Sequence, residues 1–181
     1  AALVQRASQL GIEARALPVS HGYHSDLIAG ARPRYRAALD QLSFSAPQCR
    51  IVSTITGASI DSLSPADFPA LLERQFIEPV RLQDAVLARA HRLSPQARLA
   101  LESAAVIGSR VEPALVHGMP DVTADAVDEC VTAGMLRFDA PTYAFRHELV
   151  RESVLSGVSP GRLGALHWQA LDRLRALPMS P

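Results

Sequence analysis

The chain contains no lysine: all eighteen basic residues among its 181 are arginine. That excludes chemistry built on a lysine amine, such as a Walker-type phosphate loop or a Schiff base. Cysteine is almost as scarce. Cys49 and Cys130 are the only two, far apart, with no C-x-x-C and no histidine at ligand spacing. They are read as two buried thiols of a reducing compartment rather than a zinc site or a disulfide framework. No apolar run approaches the roughly 20 residues needed to cross a bilayer. Ala1–Arg6 lacks the basic, apolar and small-residue order of a secretory leader and does not start with Met, so the chain is read as an internal piece of a cytoplasmic protein. An excess of one charge is missing too. Eighteen acidic residues balance the arginines, which argues against nucleic acid or an anionic membrane as partner. The one G-x-S-x-G, Gly157-Val158-Ser159-Pro160-Gly161, lies between two predicted helices and not after a strand, so it is not read as a nucleophile elbow. No internal repeat or low-complexity linker was found.

Among what is present, a 48% hydrophobic fraction suffices for one large core or two small ones. Apolar spacing predicts a short helix over 1–10, stopped by Gly11, and a strand from Glu13 to Val19. A helix follows over 25–42, capped by Ser25 with Asp26 on its dipole. The β-branched run Ile51–Gly57 reads as a strand and turn. Ser64-Pro65 opens a helix that Pro79 breaks, and a helix resumes near Arg81. Beyond about residue 92 the texture becomes helical. Ser94-Pro95 caps a helix ended by Gly108, a short helix lies near Pro113–His117, and another spans Thr123–Ala133 with Gly134 as stop. Met135–Phe138 and Thr142–Phe145 form a hairpin, and helices over His147–Leu155 and Pro160–Leu177 finish the chain. Helix, helix, helix, hairpin is a winged-helix order.

His24 is the first candidate for chemistry. It falls between a predicted strand end and a helix start, where a positive imidazole is disfavoured and a neutral base is favoured near pH 7. A neutral imidazole can take a proton from a serine hydroxyl. On spacing alone, a histidine that merely hydrogen-bonds a loop is the more economical reading.

Four ordered segments shift that balance. Leu17-Pro-Val-Ser-His-Gly-Tyr-His-Ser25, Leu42-Ser-Phe-Ser-Ala-Pro47, Ile51-Val-Ser-Thr-Ile-Thr-Gly57 and Gln75-Phe-Ile-Glu-Pro-Val-Arg81 resemble, in order, LPVSHAFHS, L-x-F-x-x-P, VVSNVTG and QL-x-x-PVRF. These belong to the C-terminal part of polyketide synthase acyltransferase domains and of the malonyl-CoA:acyl-carrier-protein transacylases. The resemblance implies that His24 is the general base for the family's serine and that the backbone carbonyl of Gln75 orients its ring. It places His21, Gly22 and Tyr23 in the HAFH motif that accompanies malonyl selectivity, with Gly and Tyr replacing Ala and Phe. Thr54 departs from the usual Asn. Malonyl-CoA and an acyl carrier protein are the implied partners, and no cofactor is implied. The family's GHSxG serine, its carboxylate-binding arginine and its later Glu-x-Gly-Pro strand have no counterpart here. By itself this part is therefore expected to be inactive.

A second resemblance covers about Arg81 to Leu177. Asp84–Pro95, Leu101–Gly108 and Phe145-Arg-His-Glu-Leu-Val-Arg-Glu152 are similar to the helical and winged-helix region of large ATP-binding LuxR-type regulators of the STAND class. Arg146-His147-Glu148 then resembles an F-R-H-E signature, read equally as a helix-start salt bridge or a nucleotide sensor. The two resemblances meet at residues 79–90, as though two proteins were spliced across a similar stretch. The expected architecture is an α/β fragment over 1–86, with a few strands of an incomplete sheet, followed by a mainly α winged-helix module over 87–181. The alternative function is an interaction module of such a regulator.

Overall fold

A computed structural model describes residues 2–16 and 21–177. They group into two compact units: Ala1–Ser45 with Ser64–Val80, and Ala46–Leu63 with Arg81–Pro181.

In the second unit the predicted Ser94-Pro95 cap acts where the sequence put it. Helix α4 covers Leu82–Ala90 and α5 covers Pro95–Ile107. The Ser94 hydroxyl accepts the Ala97 N–H at 3.1 Å, and Pro95 fills a first-turn position that needs no donor. Ala97, Ala100, Leu101, Ala104 and Ala105 are all fully buried, on one face at helical spacing. Four alanines on that face let neighbouring helices approach α5 closely. Strand β1 (Arg110–Val111), helix α6 (Pro113–Val116) and helix α7 (Ala124–Thr132) follow, the last capped by the Thr123 hydroxyl. Strands β2 (Leu136–Asp139) and β3 (Thr142–Phe145) form the predicted hairpin. β1 adds to β3, giving an antiparallel sheet of order β1-β3-β2. Two residues are too short for any alternation to be read from sequence, which is why β1 was not predicted. Helices α8 (Glu148–Ser156) and α9 (Pro160–Ala176) complete the unit. α5 is its hub, in contact with α7, α8 and α9.

The first unit departs more from expectation. Helix α1 (Ala2–Gln9) forms as predicted but buries no residue. Residues 13–16, expected to begin a strand, are irregular and exposed, and Leu17–Val19 lie outside the described residues. The helix expected over 25–42 is divided into a 3₁₀ segment, Asp26–Ala31, and helix α2, Arg32–Leu39. The cause is Pro33, which has no N–H for the Ala29 carbonyl. The Arg32 N–H takes that carbonyl instead, in the tighter 3₁₀ pattern. Ser25 therefore caps the 3₁₀ segment, accepting the Leu27 N–H at 3.4 Å. A second 3₁₀ turn, Pro65–Asp67, leads into helix α3, Phe68–Gln75.

The run Ile51–Gly57, which belongs to the second unit, is not a strand. It makes a single bridge, Val52 with Ser59, and then turns. The Ser53 hydroxyl accepts the Ile55 and Thr56 N–H groups at 3.1 and 3.4 Å. A side chain that satisfies its own backbone competes with a sheet ladder. Gly57 closes the turn at φ +71, where an added Cβ would also lie 2.5 Å from Cβ of Asp84. Among the described residues of 1–86 no β-strand forms, so the expected α/β fragment is helix and turn instead. The mostly helical character expected of the whole chain is observed.

Candidate active site

The Leu17–Ser25 stretch is described from His21 onward. His24 is half-buried and adopts a left-handed backbone, φ +57. That region is uncommon for residues other than glycine and costs on the order of 1 kcal/mol or more. The conformation is anchored on both sides. The Ser25 hydroxyl donates to the Gly22 carbonyl at 2.5 Å. Gly22 itself packs closely, and a Cβ there would lie 2.8 Å from Leu27 Cδ1.

His24 Nδ1 lies 2.8 Å from the Gln75 carbonyl oxygen. A carbonyl only accepts, so the proton sits on Nδ1 and the neutral ring presents Nε2 as its basic nitrogen. The carbonyl is available for a reason written in the sequence. Gln75 is the last residue of α3. A continuing helix would satisfy its carbonyl from residue 79, but residue 79 is Pro and has no N–H. The helix end is left with an orphan acceptor, and the imidazole fills it.

The segments that carry these two residues are tied together. Glu73 of α3 accepts from Arg32 at 3.0 Å and from Arg36 at 3.3 Å, both on α2. Tyr35 and Phe76 stack at 4.9 Å between ring centres. The Glu73 side chain keeps only 20% of its exposure, which places this cluster above an ordinary surface ion pair worth roughly 0–1 kcal/mol. Arg36 is held above its ordinary value by Asp40 first and Glu73 second.

The other residues predicted for the site surround His24 without joining its hydrogen bond. His21 and Tyr23 are exposed, with ring centres 5.8 Å apart. No serine side chain among the described residues bonds His24. The Phe145–Glu148 motif lies in the other unit. Phe145 is buried at the end of β3, while Arg146 and His147 are exposed. Glu148 starts α8 and accepts from Arg151 Nε at 2.7 Å. Arg151 also donates to the Ala105 carbonyl at 2.8 Å, tying α8 to α5. A helix-start salt bridge was one of the two readings the sequence left open, beside a nucleotide sensor, and Arg151 was not named as its cation.

The cysteines differ from each other. Cys130 is fully buried, while Cys49 is exposed, so the expectation of two buried thiols holds only for Cys130. The segment around Cys49 lacks the helical pattern that buries Cys130 on α7. Among the described residues no group of three or more His, Cys, Asp or Glu could hold a metal ion. None of the described helices is long and apolar enough to cross a membrane.

The chain is 31% identical to the polyketide synthase GfsA of Streptomyces halstedii, over 91% of this chain and 3% of that protein. It is 32% identical to GfsB of the same organism, over 76% of this chain and 3% of that protein. A third relative, the PKS-NRPS hybrid synthetase acdB of Aspergillus candidus, is 30% identical over 76% of this chain and 7% of that protein. Most of this chain is therefore similar to a region of polyketide synthases. It spans a few per cent of the length of those relatives. No family model matches the chain, and no solved structure matches it. A similarity covering 91% of the chain runs well past residue 86. It is not confined to the acyltransferase-like segments, and these relatives lend no support to the regulator resemblance of the second half.

Proposed function

We propose that residues 1–86 are the histidine-bearing part of a polyketide synthase acyltransferase, acting on malonyl-CoA and an acyl carrier protein. The observation that carries the reading is the bond from His24 Nδ1 to the Gln75 carbonyl. It selects the tautomer a general base needs and uses the two residues that the resemblance nominated. In this reading Nε2 removes the proton from a serine hydroxyl and returns it to the departing thiol. His21, Gly22 and Tyr23 border the acyl pocket, with the Tyr23 hydroxyl adding polarity where the family has Phe. The chain contains no GHSxG serine, and its one G-x-S-x-G serine, Ser159, lies between helices α8 and α9 rather than after a strand, so in this reading it forms no acyl-enzyme by itself. Residues 87–181 form the second part, for which we propose a winged-helix module. Its order of helix, strand, two helices and hairpin, with the sheet order β1-β3-β2, favours that shape. Formal neutrality argues against a nucleic-acid role for it.

Two measurements test the acyltransferase reading. Intact mass after incubation with malonyl-CoA should show no adduct on this chain, and a covalent malonyl group would overturn its assignment as a half-site. In a hybrid acyltransferase where this chain replaces the matching region of a related synthase, His24→Ala should lower acyl transfer by about 10²–10⁴-fold. Gln75→Ala should leave it nearly unchanged, because a backbone carbonyl survives the substitution. Full turnover by the His24→Ala hybrid would end the proposal.

A further inference from the structure

The second unit holds a cavity of about 690 Å³ that acyl transfer does not use. That is within the roughly 300–1,000 Å³ typical of small-molecule sites. Its wall combines the Arg50–Val52 segment with α4 and the C-terminal end of α7. Ile51 and Leu93 supply apolar surface.

The charged groups on this wall are unevenly committed. Arg50, Arg89 and Arg92 line the cavity together with one carboxylate, Glu129. Glu129 is engaged: its oxygens accept the Ser94 N–H and hydroxyl at 2.8 and 2.7 Å. Arg92 is paired with Asp61 at 2.9 Å. Arg89 donates through Nη2 to the Ala133 carbonyl at 2.6 Å, which neutralises the negative end of α7, and has no carboxylate partner among the described residues. Arg50 is exposed, with no ion pair among the described residues. Three guanidinium groups thus face two carboxylates, both already occupied. One positive charge is left over beside an apolar floor.

We propose that this cleft binds a small organic anion with an apolar body. Its carboxylate or phosphate head would lie on Arg50 and the free N–H groups of Arg89, and its carbon body on Ile51 and Leu93. Guanidinium forks match both head groups, and binding uses no residue of the His24 site. The inference therefore stands or falls separately from the acyltransferase reading.

Calorimetric titration of the full chain with hexanoate, hexyl phosphate, inorganic phosphate and hexanol tests it. One of the two amphiphilic anions should bind saturably at one site, and the tighter identifies the head group. Inorganic phosphate lacks the apolar body and hexanol the charge, so each should bind at least about tenfold more weakly. Arg50→Gln, on an exposed side chain that the fold does not need, should weaken binding by about tenfold or more. Arg137→Gln, on the exposed face of the hairpin, should leave it unchanged. Absence of saturable binding by both anions overturns the proposal. So does equal affinity for hexanol, equal affinity in Arg50→Gln, or an equal loss in Arg137→Gln.

Discussion

Two cysteines that look alike in the sequence sit in opposite settings in the fold, Cys49 exposed and Cys130 buried. Cys130 sits on the inward face of α7 and donates its S–H to the Ala97 carbonyl at 3.0 Å. Burial pushes its thiol up to about 12, with the Glu129 charge adding to the effect. Thiolate, not thiol, is the nucleophile, so Cys130 should be inert. Alkylation of the native chain at pH 8 should modify Cys49 alone, as read by peptide mass, with Cys130 reacting only after denaturation. Labelling of both at one rate would contradict the packing of α7. Glu129 is a second residue whose setting has a measurable consequence. The Ser94 hydroxyl, then the Ser94 N–H, hold its carboxyl below the ordinary value of 4.5. A folded value below the unfolded one stabilises the fold above the unfolded value, and that contribution is lost as pH falls through the folded value. Stability of the parent chain should therefore decline more steeply below about pH 4.5 than that of Glu129→Gln. Parallel melting curves for the two across that range would remove Glu129 from the account.

Elements show which sequence signals are reliable and why. The start of α5 was legible because a capping hydroxyl and a proline act locally, Ser94 with Pro95, whereas the Thr123 cap on α7 is seen only in the structure. The strand expected at Ile51–Gly57 failed because β-branched composition reports what a residue tolerates, while a strand also needs a neighbour to pair with. Ser53 drew the local N–H groups into a turn instead. The role of Gln75 reached the sequence reading only through a family resemblance, yet its physical cause is four residues downstream. Pro79 withholds the N–H that would have closed α3 over the Gln75 carbonyl. Pro79→Ala restores that donor. Helix α3 should then extend, and His24 should lose its acceptor. The ¹⁵N shifts of the His24 ring should move from a fixed Nδ1–H tautomer toward a tautomer mixture. An unchanged spectrum would show that the His24 geometry is held by the Gly22–Ser25 turn alone.

At the scale of the whole molecule, buried apolar surface is divided very unequally between the two units. In the first, Leu39 and Leu71 are the buried aliphatic side chains among the described residues, joined by Pro69. In the second, one continuous cluster runs from Val86 through α5, α7 and the sheet to Leu166. Each large apolar side chain taken fully from water contributes roughly 1.5–3 kcal/mol. The second unit therefore has far more burial to set against the entropy of ordering its chain. The first relies on ring stacking and on the Glu73 cluster, both partly in water. A region with few buried contacts opens at low free-energy cost, and proteases cut what opens. Limited trypsin digestion should therefore cleave first at Arg6, Arg15 and Arg34, with Arg15 in the exposed irregular segment 12–16. Arg98 and Arg151, whose side chains bond the His91 and Ala105 carbonyls, should be cut last. Sodium chloride should speed the early cuts, because it screens the ion pairs that join α2 to α3. It should have little effect on the α5-centred core. Equal resistance of both units, or cleavage starting within α5, would mean that the first unit gains stability from contacts its own side chains do not supply.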